Sequence, residues 1–337
     1  MLLLWLYKNL KTLQDTHFMR KYIPSSLFST LLVGLSLSAG AQCESAKLIE
    51  EAGKFEDWRV CEIKESNIIG GNTYYIYKLS DGDTLRGNLP YIHAEDEPFA
   101  TSNILANVSG ITKASGSVFP DVHGDGRCAR IEVILEKVKA LGVINISAVS
   151  QGTIFVGSMT EPITSASASY SQACYGIPFT DRPKGLQFDY KADVGKRKTT
   201  NCKKYEDSPD YGEVVVFLQK RWEDEKGRIH AKRVGTAYMT LDESTDWREG
   251  VQLPISYGRL DSGHKYLNVR SELRPSGELA QYDINSANKS TMIIEEGWAD
   301  RNEQPTHLIM WFAASNSRPF LGGVGNKIWI DNVKFVY

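Results

Sequence analysis

Cysteine is scarce in this chain, with five in 337 residues, at positions 43, 61, 128, 174 and 202. None of the spacings is that of a CxxC redox pair or a zinc finger, and the odd number excludes a fully paired disulfide framework. Charge of one sign is also lacking. Lys and Arg total 39 against 41 Asp and Glu, a formal net charge of -2, so there is no basic face for nucleic acid and no acidic tail. The familiar reaction motifs are missing: there is no GxSxG, HExxH or P-loop, and no GxGxxG that opens a helix. His93, His123, His230, His264 and His307 are scattered without metal-ligand spacing. Beyond residue 37 no apolar run is long enough to span a bilayer.

One apolar run does occur near the start. Met19, Arg20 and Lys21 precede Ile23 to Leu37, which ends in Ser38-Ala39-Gly40-Ala41. A cationic lead, an apolar stretch and small residues make a secretory signal peptide, with cleavage expected before Gln42. A lipoprotein signal would want a small residue, not Gln42, directly before Cys43. Residues 1–18 read as sequence upstream of a start at Met19, although MLLLWLY could lengthen a membrane segment. The expected product is an exported protein of residues 42–337 with no membrane span. All five cysteines would then lie in a compartment that permits disulfides. No bridge is assigned, and Cys128 in CARIEV reads as a buried strand residue.

The rest of the chain is dominated by short β runs. CESAKLIEEAGKF is a short helical or irregular lead into FEDWRVCEI, and Gly70-Gly71-Asn72 opens the tyrosine-rich TYYIYKL. A loop-rich tract covers residues 87–126, and EVILEKVKAL reads as strand or helical turn. EVVVFLQKRW and IHAKRVGTAYMTL, joined by EDEKGR, form the strongest antiparallel hairpin signal. KRKTTNCKK has no interleaved aromatics and reads as a solvated hairpin loop. Many short strands, frequent turn signals and few short helices predict an all-β fold, an antiparallel jelly-roll sandwich with long loops. A single domain is expected over residues 42–337, with a small amino-terminal β lobe over 42–90 as the alternative division. The two ends are expected to meet, GKFEDWRV beside the closing strand NKIWIDNVKFVY. Strict alternation puts Trp329, Asp331, Val333, Phe335 and Tyr337 on one face.

GKFEDWRV and KIWIDNV resemble the edges of exported jelly-roll carbohydrate-binding modules of the galactose-binding type. PFATSN, GDGRCARIE, GTIFVGSM, YGIPFTDRPKGLQFDYK and AASNSRPFLGGVGNKIWIDNVKFVY, in this order, resemble the carbohydrate metabolism domain family abbreviated PCMD. That resemblance implies a jelly-roll sandwich exported to the periplasm or cell surface of a Gram-negative bacterium, with a role in handling carbohydrate. The chain departs from the family at Ala313-Ala314-Ser315, where members often carry three serines. It departs again at Asp331-Asn332, where they often carry two aspartates, and this removes one carboxylate from any inherited calcium site.

Sugar recognition needs flat aromatic faces beside hydrogen-bonding groups, because a glycan offers apolar ring faces rimmed by hydroxyls. Gln187, Asp189 and Lys191 share a strand parity opposite Leu186, Phe188 and Tyr190, and Gln219 shares one with Arg221. If those strands are neighbours, a polar sheet face results. Trp222, Trp247, Tyr257 and Trp298 lie beside turns and supply candidate rings. No cofactor is required by these residues, and a structural calcium is the alternative, held by Asp331 with Glu56 or Asp57. Asp121, Asp125 and Glu132 fall at EF-hand offsets, but His123 at the third position and a following β run exclude that motif. Hydrolysis would need two carboxylates in different environments. Glu132, Asp189, Glu223, Asp224, Glu295 and Glu296 are candidates, of which Glu223-Asp224 and Glu295-Glu296 read as solvated turns.

The leading expectation is a non-catalytic exported module that captures glycan or polysaccharide, with other exported glycan-processing proteins as further partners. A glycoside hydrolase and an adhesin-like or structural protein-interaction module are the two alternatives.

Overall fold

The computed structural model describes residues 42–140, 144–165, 168–200, 205–269 and 280–337. The signal segment and Cys202 lie outside the described residues. Two sheets face each other across one apolar core. The front sheet runs in the order 245–254, 185–193, 327–336, 126–140, 118–123, with 144–151 paired to 126–140. The back sheet is built on 212–223, paired antiparallel on one side with 229–241 and on the other with 307–313. Strand 307–313 also pairs with 153–159, so the back pairing closes into a ring through 173–175, 282–284 and 290–298. Leu186, Phe188, Tyr190, Ile328 and Ile330 from the front meet Val214, Val216, Leu218, Met310 and Phe312 from the back. The all-β expectation therefore holds, and EVILEKVKAL is strand rather than helix. The basic stretch opens as the strand Arg197–Thr200 rather than a loop.

The head of the described chain docks on its tail, though not as a paired strand. Helix Glu44–Ala52 buries Ala46 and Ile49 in the main core, and the strand Arg59–Lys64 pairs with Thr73–Lys78 instead of the closing strand. The join is made at Gly53, whose carbonyl accepts the Val333 N–H at 3.0 Å. Phe55 follows in the left-handed region (φ 47°), which drops its ring into the core against Phe99. A smaller apolar cluster of Cys61, Ile63, Ile76, Leu105 and Ala114 lies under the two amino-terminal hairpins. Its rim holds the buried pairs Lys78 with Glu161 and Lys113 with Glu65.

Alternation along the closing strand fails at one residue. Asn332 has φ 52° and is a bulge, with a register shift opposite residues 187–189. Before it, Ile328 and Ile330 face the core; after it, Val333 and Phe335 do. Trp329 and Asp331 therefore stand on the outer face, not on the apolar face with Val333 and Phe335. One extra residue in one strand is enough to exchange the two faces.

A Cβ at Gly53 would lie 2.5 Å from the Val333 carbonyl oxygen and 2.6 Å from that of Ile49. Gly53→Ala should therefore lose about 1–3 kcal/mol through overpacking, read as a lower urea midpoint with an unchanged slope. An unaltered midpoint would show that head and tail are not held together there.

Candidate functional site: the outer face of the front sheet

The bulge at Asn332 turns a run of polar and aromatic side chains outward. Asp331 lies directly opposite Asp189 on the neighbouring strand. Asn332 Nδ2 donates to Asp189 Oδ2 at 2.8 Å, and the Gly250 N–H donates to Asp189 Oδ1 at 2.6 Å. Gly250 can present that N–H because the strand 245–254 is itself irregular there, with Gly250 at φ 62°. His123 Nδ1 donates to Asp331 Oδ2 at 2.7 Å, since an ionised carboxylate can only accept. Trp247 lies flat on the His123 ring, with centroids 3.6 Å apart and planes 15° apart. The two aspartates are 8% (Asp189) and 5% (Asp331) exposed. Burial holds the Asp331 carboxyl above its usual range against the opposing pull of His123 and the Asn332 N–H, and the charge of Asp189 pushes the same way as burial.

Trp329 is the second ring on this face. Its Nε1 donates to Asp121 Oδ2 at 2.8 Å, and Arg130 reaches the same oxygen at 3.2 Å. Lys191 lies 5.5 Å over the indole and pairs with Asp246. Four strands thus supply Asp121, His123, Asp189, Lys191, Trp247, Trp329 and Asp331 to one surface. Of these, Asp189, Lys191 and Trp247 were legible as sugar-binding candidates. His123 was missed because its partner is 208 residues away in sequence.

Gln219 and Arg221 do not join Gln187 and Asp189. The two pairs stand on different sheets, facing away from each other, because 185–193 neighbours 245–254 and 327–336, while 212–223 neighbours 229–241 and 307–313. Inside the back ring Gln219 donates to Glu295 Oε1 at 3.0 Å, and Arg221 bonds Gln219, Asp283 and the Tyr175 carbonyl. Arg233, 0% exposed, grips Glu295 with two bonds of 2.6 Å and lies 3.4 Å over the Phe217 ring. Glu295 is therefore a buried partner of Arg233, not a solvated turn residue. Trp298 packs near the same guanidinium, and Tyr257 is half-buried, its hydroxyl on the Pro183 carbonyl and Arg182 over its ring. Trp222 remains 39% exposed, stacked on His230, whose two nitrogens meet Glu296 and Asp224.

Two of the three carboxylates considered for calcium have protein partners. Glu56 Oε2 accepts the Arg127 N–H at 3.0 Å, Asp57 is exposed, and Asp331 is taken by His123. Among the described residues, no group of three His, Cys, Asp or Glu side chains is placed to hold a metal ion.

No family model matches this sequence, and no curated protein matches it. Two solved structures are similar to it. One is a candidate glycoside hydrolase from Bacteroides thetaiotaomicron, 16% identical, covering 82% of this chain and 70% of that one with a TM-score of 0.42. The other is a candidate glycoside hydrolase from Bacteroides vulgatus, 15% identical, covering 84% and 96% with a TM-score of 0.41. Likeness at that level assigns no activity to this chain.

Two expectations follow from the back ring. Glu295→Gln leaves Arg233 charged and unpaired in the interior, and should cost about 3–5 kcal/mol of unfolding free energy; a loss under ~1 kcal/mol would show that the pair is not buried as described. His307, beside Arg221, is held down to about 3 by burial and then by the guanidinium charge. The unfolded chain therefore binds a proton at this site below about pH 6.5 that the folded chain refuses, and stability falls as pH drops from there. In urea titrations from pH 7 to 4, His307→Gln should reduce that loss by up to about 1.4 kcal/mol per pH unit. Parallel curves for variant and parent would show that His307 is not the responsible group.

Proposed function

We propose that this protein is an exported glycan-binding module and that the outer face of its front sheet is the binding surface. The observation that carries the reading is the pairing of Trp247 and Trp329 with hydrogen-bonding groups already fixed beside them. Trp247 is backed by His123 and Trp329 is tethered through Asp121. Rings held in place lose little freedom when a sugar stacks on them, and Lys191, Arg130 and Asp246 stand within reach of its hydroxyls. Export, to the periplasm or cell surface, rests on the cationic and apolar segment from Met19 to Ala41. A jelly-roll arrangement of the facing sheets belongs to the same reading, as does membership of the PCMD family.

The measurement is a glycan array on the purified chain from Gln42 onward, followed by calorimetry on a polysaccharide that binds. Trp247→Ala and Trp329→Ala should each weaken binding about tenfold, roughly 1.4 kcal/mol, while Trp222→Ala on the back sheet changes it less than twofold. Binding that survives both front-face substitutions, or no binding across the array, overturns the assignment.

A further inference from the structure

Where strand Ile144–Gln151 ends, the loop 315–321 folds round the Gln151 side chain. Its Nε2 lies 2.7 Å from the Leu321 carbonyl oxygen, 3.1 Å from that of Ser317, 3.2 Å from that of Arg318 and 2.9 Å from Ser315 Oγ. The Arg318 carbonyl also takes the Leu321 N–H at 3.2 Å. An amide nitrogen carries two hydrogens, so four oxygens converge on a group that can satisfy two of them. A second feature stands behind these oxygens. Asp210 is 0% exposed, and its carboxylate accepts from Ser315 Oγ at 3.0 Å, Ser317 Oγ at 2.6 Å, the Gly323 N–H at 2.8 Å and Asn326 Nδ2 at 3.2 Å. Among the described residues no cation is paired with it. Buried charges are ordinarily paired or bound to a metal; this one is met by neutral donors alone. It also sets the direction of the serine hydroxyls. With its hydrogen turned to Asp210, Ser315 Oγ has only lone pairs to offer Gln151. Three carbonyl dipoles, one hydroxyl lone pair and one unbalanced charge give this point the potential of a cation site, and a neutral amide sits on it.

We propose that this point is a site for a monovalent cation of potassium size. Its ligands are the carbonyl oxygens of Ser317, Arg318 and Leu321, Ser315 Oγ and Gln151 Oε1, with the Asp210 carboxylate as the balancing charge behind the serines. Gln151 is the last residue of its strand and half-buried, so its terminal amide can turn and draw back, Oε1 becoming a ligand where Nε2 was a donor. The distances choose the ion. Ca²⁺ takes its oxygens at about 2.3–2.6 Å and Mg²⁺ at about 2.0–2.1 Å. Oxygens standing 2.7–3.2 Å from a common centre suit the larger, singly charged ion that backbone carbonyls coordinate in potassium-selective pores. The charge count agrees, since one carboxylate balances one positive charge. An ion here ties the loop 315–321 to the end of strand 144–151, and through Asp210 and Asn326 to the entry of the closing strand.

The test is the melting temperature of the purified chain in the chlorides of potassium, rubidium, sodium and choline at equal ionic strength. Potassium and rubidium should raise it over choline by about 3 °C, saturating with concentration, and EDTA should leave the rise unchanged. Gln151→Lys separates a cation site from a merely hydrogen-bonded amide. Its tethered ammonium should hold the melting temperature in choline near that of the parent in potassium and abolish the response to potassium. Asp210→Asn, whatever its own stability, should lose the same response. In crystals soaked with thallium(I), an anomalous peak should lie in contact with the Ser317, Arg318 and Leu321 carbonyl oxygens. Equal melting temperatures in potassium and choline overturn the proposal. So do a Gln151→Lys variant with the parent's response to potassium, a thallium peak at other atoms alone, and stabilisation by calcium in place of potassium.

Discussion

One residue with a left-handed backbone, Asn332, decides which side of the closing strand is wet. A strand that forms the middle of a sheet has its register fixed on both flanks, so an inserted residue cannot be absorbed by sliding. The strand instead changes face. Because it does so in the centre of the front sheet, Ile328, Ile330, Val333 and Phe335 all reach the same core, and Asp331 is spared burial among them. Had strict alternation held, either the aspartate would have entered the core or the two carboxyl-terminal apolar residues would have left it. The same residue uses its amide to hold Asp189. Fold and candidate site thus hang on one local deviation from ideal β geometry.

The two faces of the molecule solve the problem of polar strand residues in opposite ways. On the back sheet Gln219, Arg221, Arg233 and Glu295 are enclosed by the ring of strands and hydrogen-bonded to one another. Such a network ties the ring's strands to one another. On the front sheet the polar face carries Trp247 stacked on His123, which is bonded in turn to Asp331.

How much of this could be read from the sequence follows from what alternation records. It gave the all-β class, the hairpin of 212–223 with 229–241, the outward parity of Gln187 and Asp189, and the encounter of Gly53 with the closing strand, because each depends on local pattern or on an end effect. Strand order left no mark. Nothing in EVVVFLQKRW or GLQFDYK tells which sheet each joins, so two polar pairs that stand on separate sheets looked as though they shared one. Glu295 beside Glu296 looked like a turn because a buried ion pair is invisible until Arg233 is placed opposite it. His123 was lost in a loop-rich tract that turned out to hold a regular hairpin.

Plain alternation ahead of the bulge accounts for why the carboxylates are where they are. Two acids can be brought opposite one another on adjacent strands only if neither neighbour in the strand sends an apolar side chain to the same side, and here Tyr190 and Ile330 both point into the core. The face around Asp189 and Asp331 is then free for aromatic cover from a distance, which Trp247 and His123 supply from the two outermost strands of the sheet. Cover contributed from both edges ties the sheet across its width.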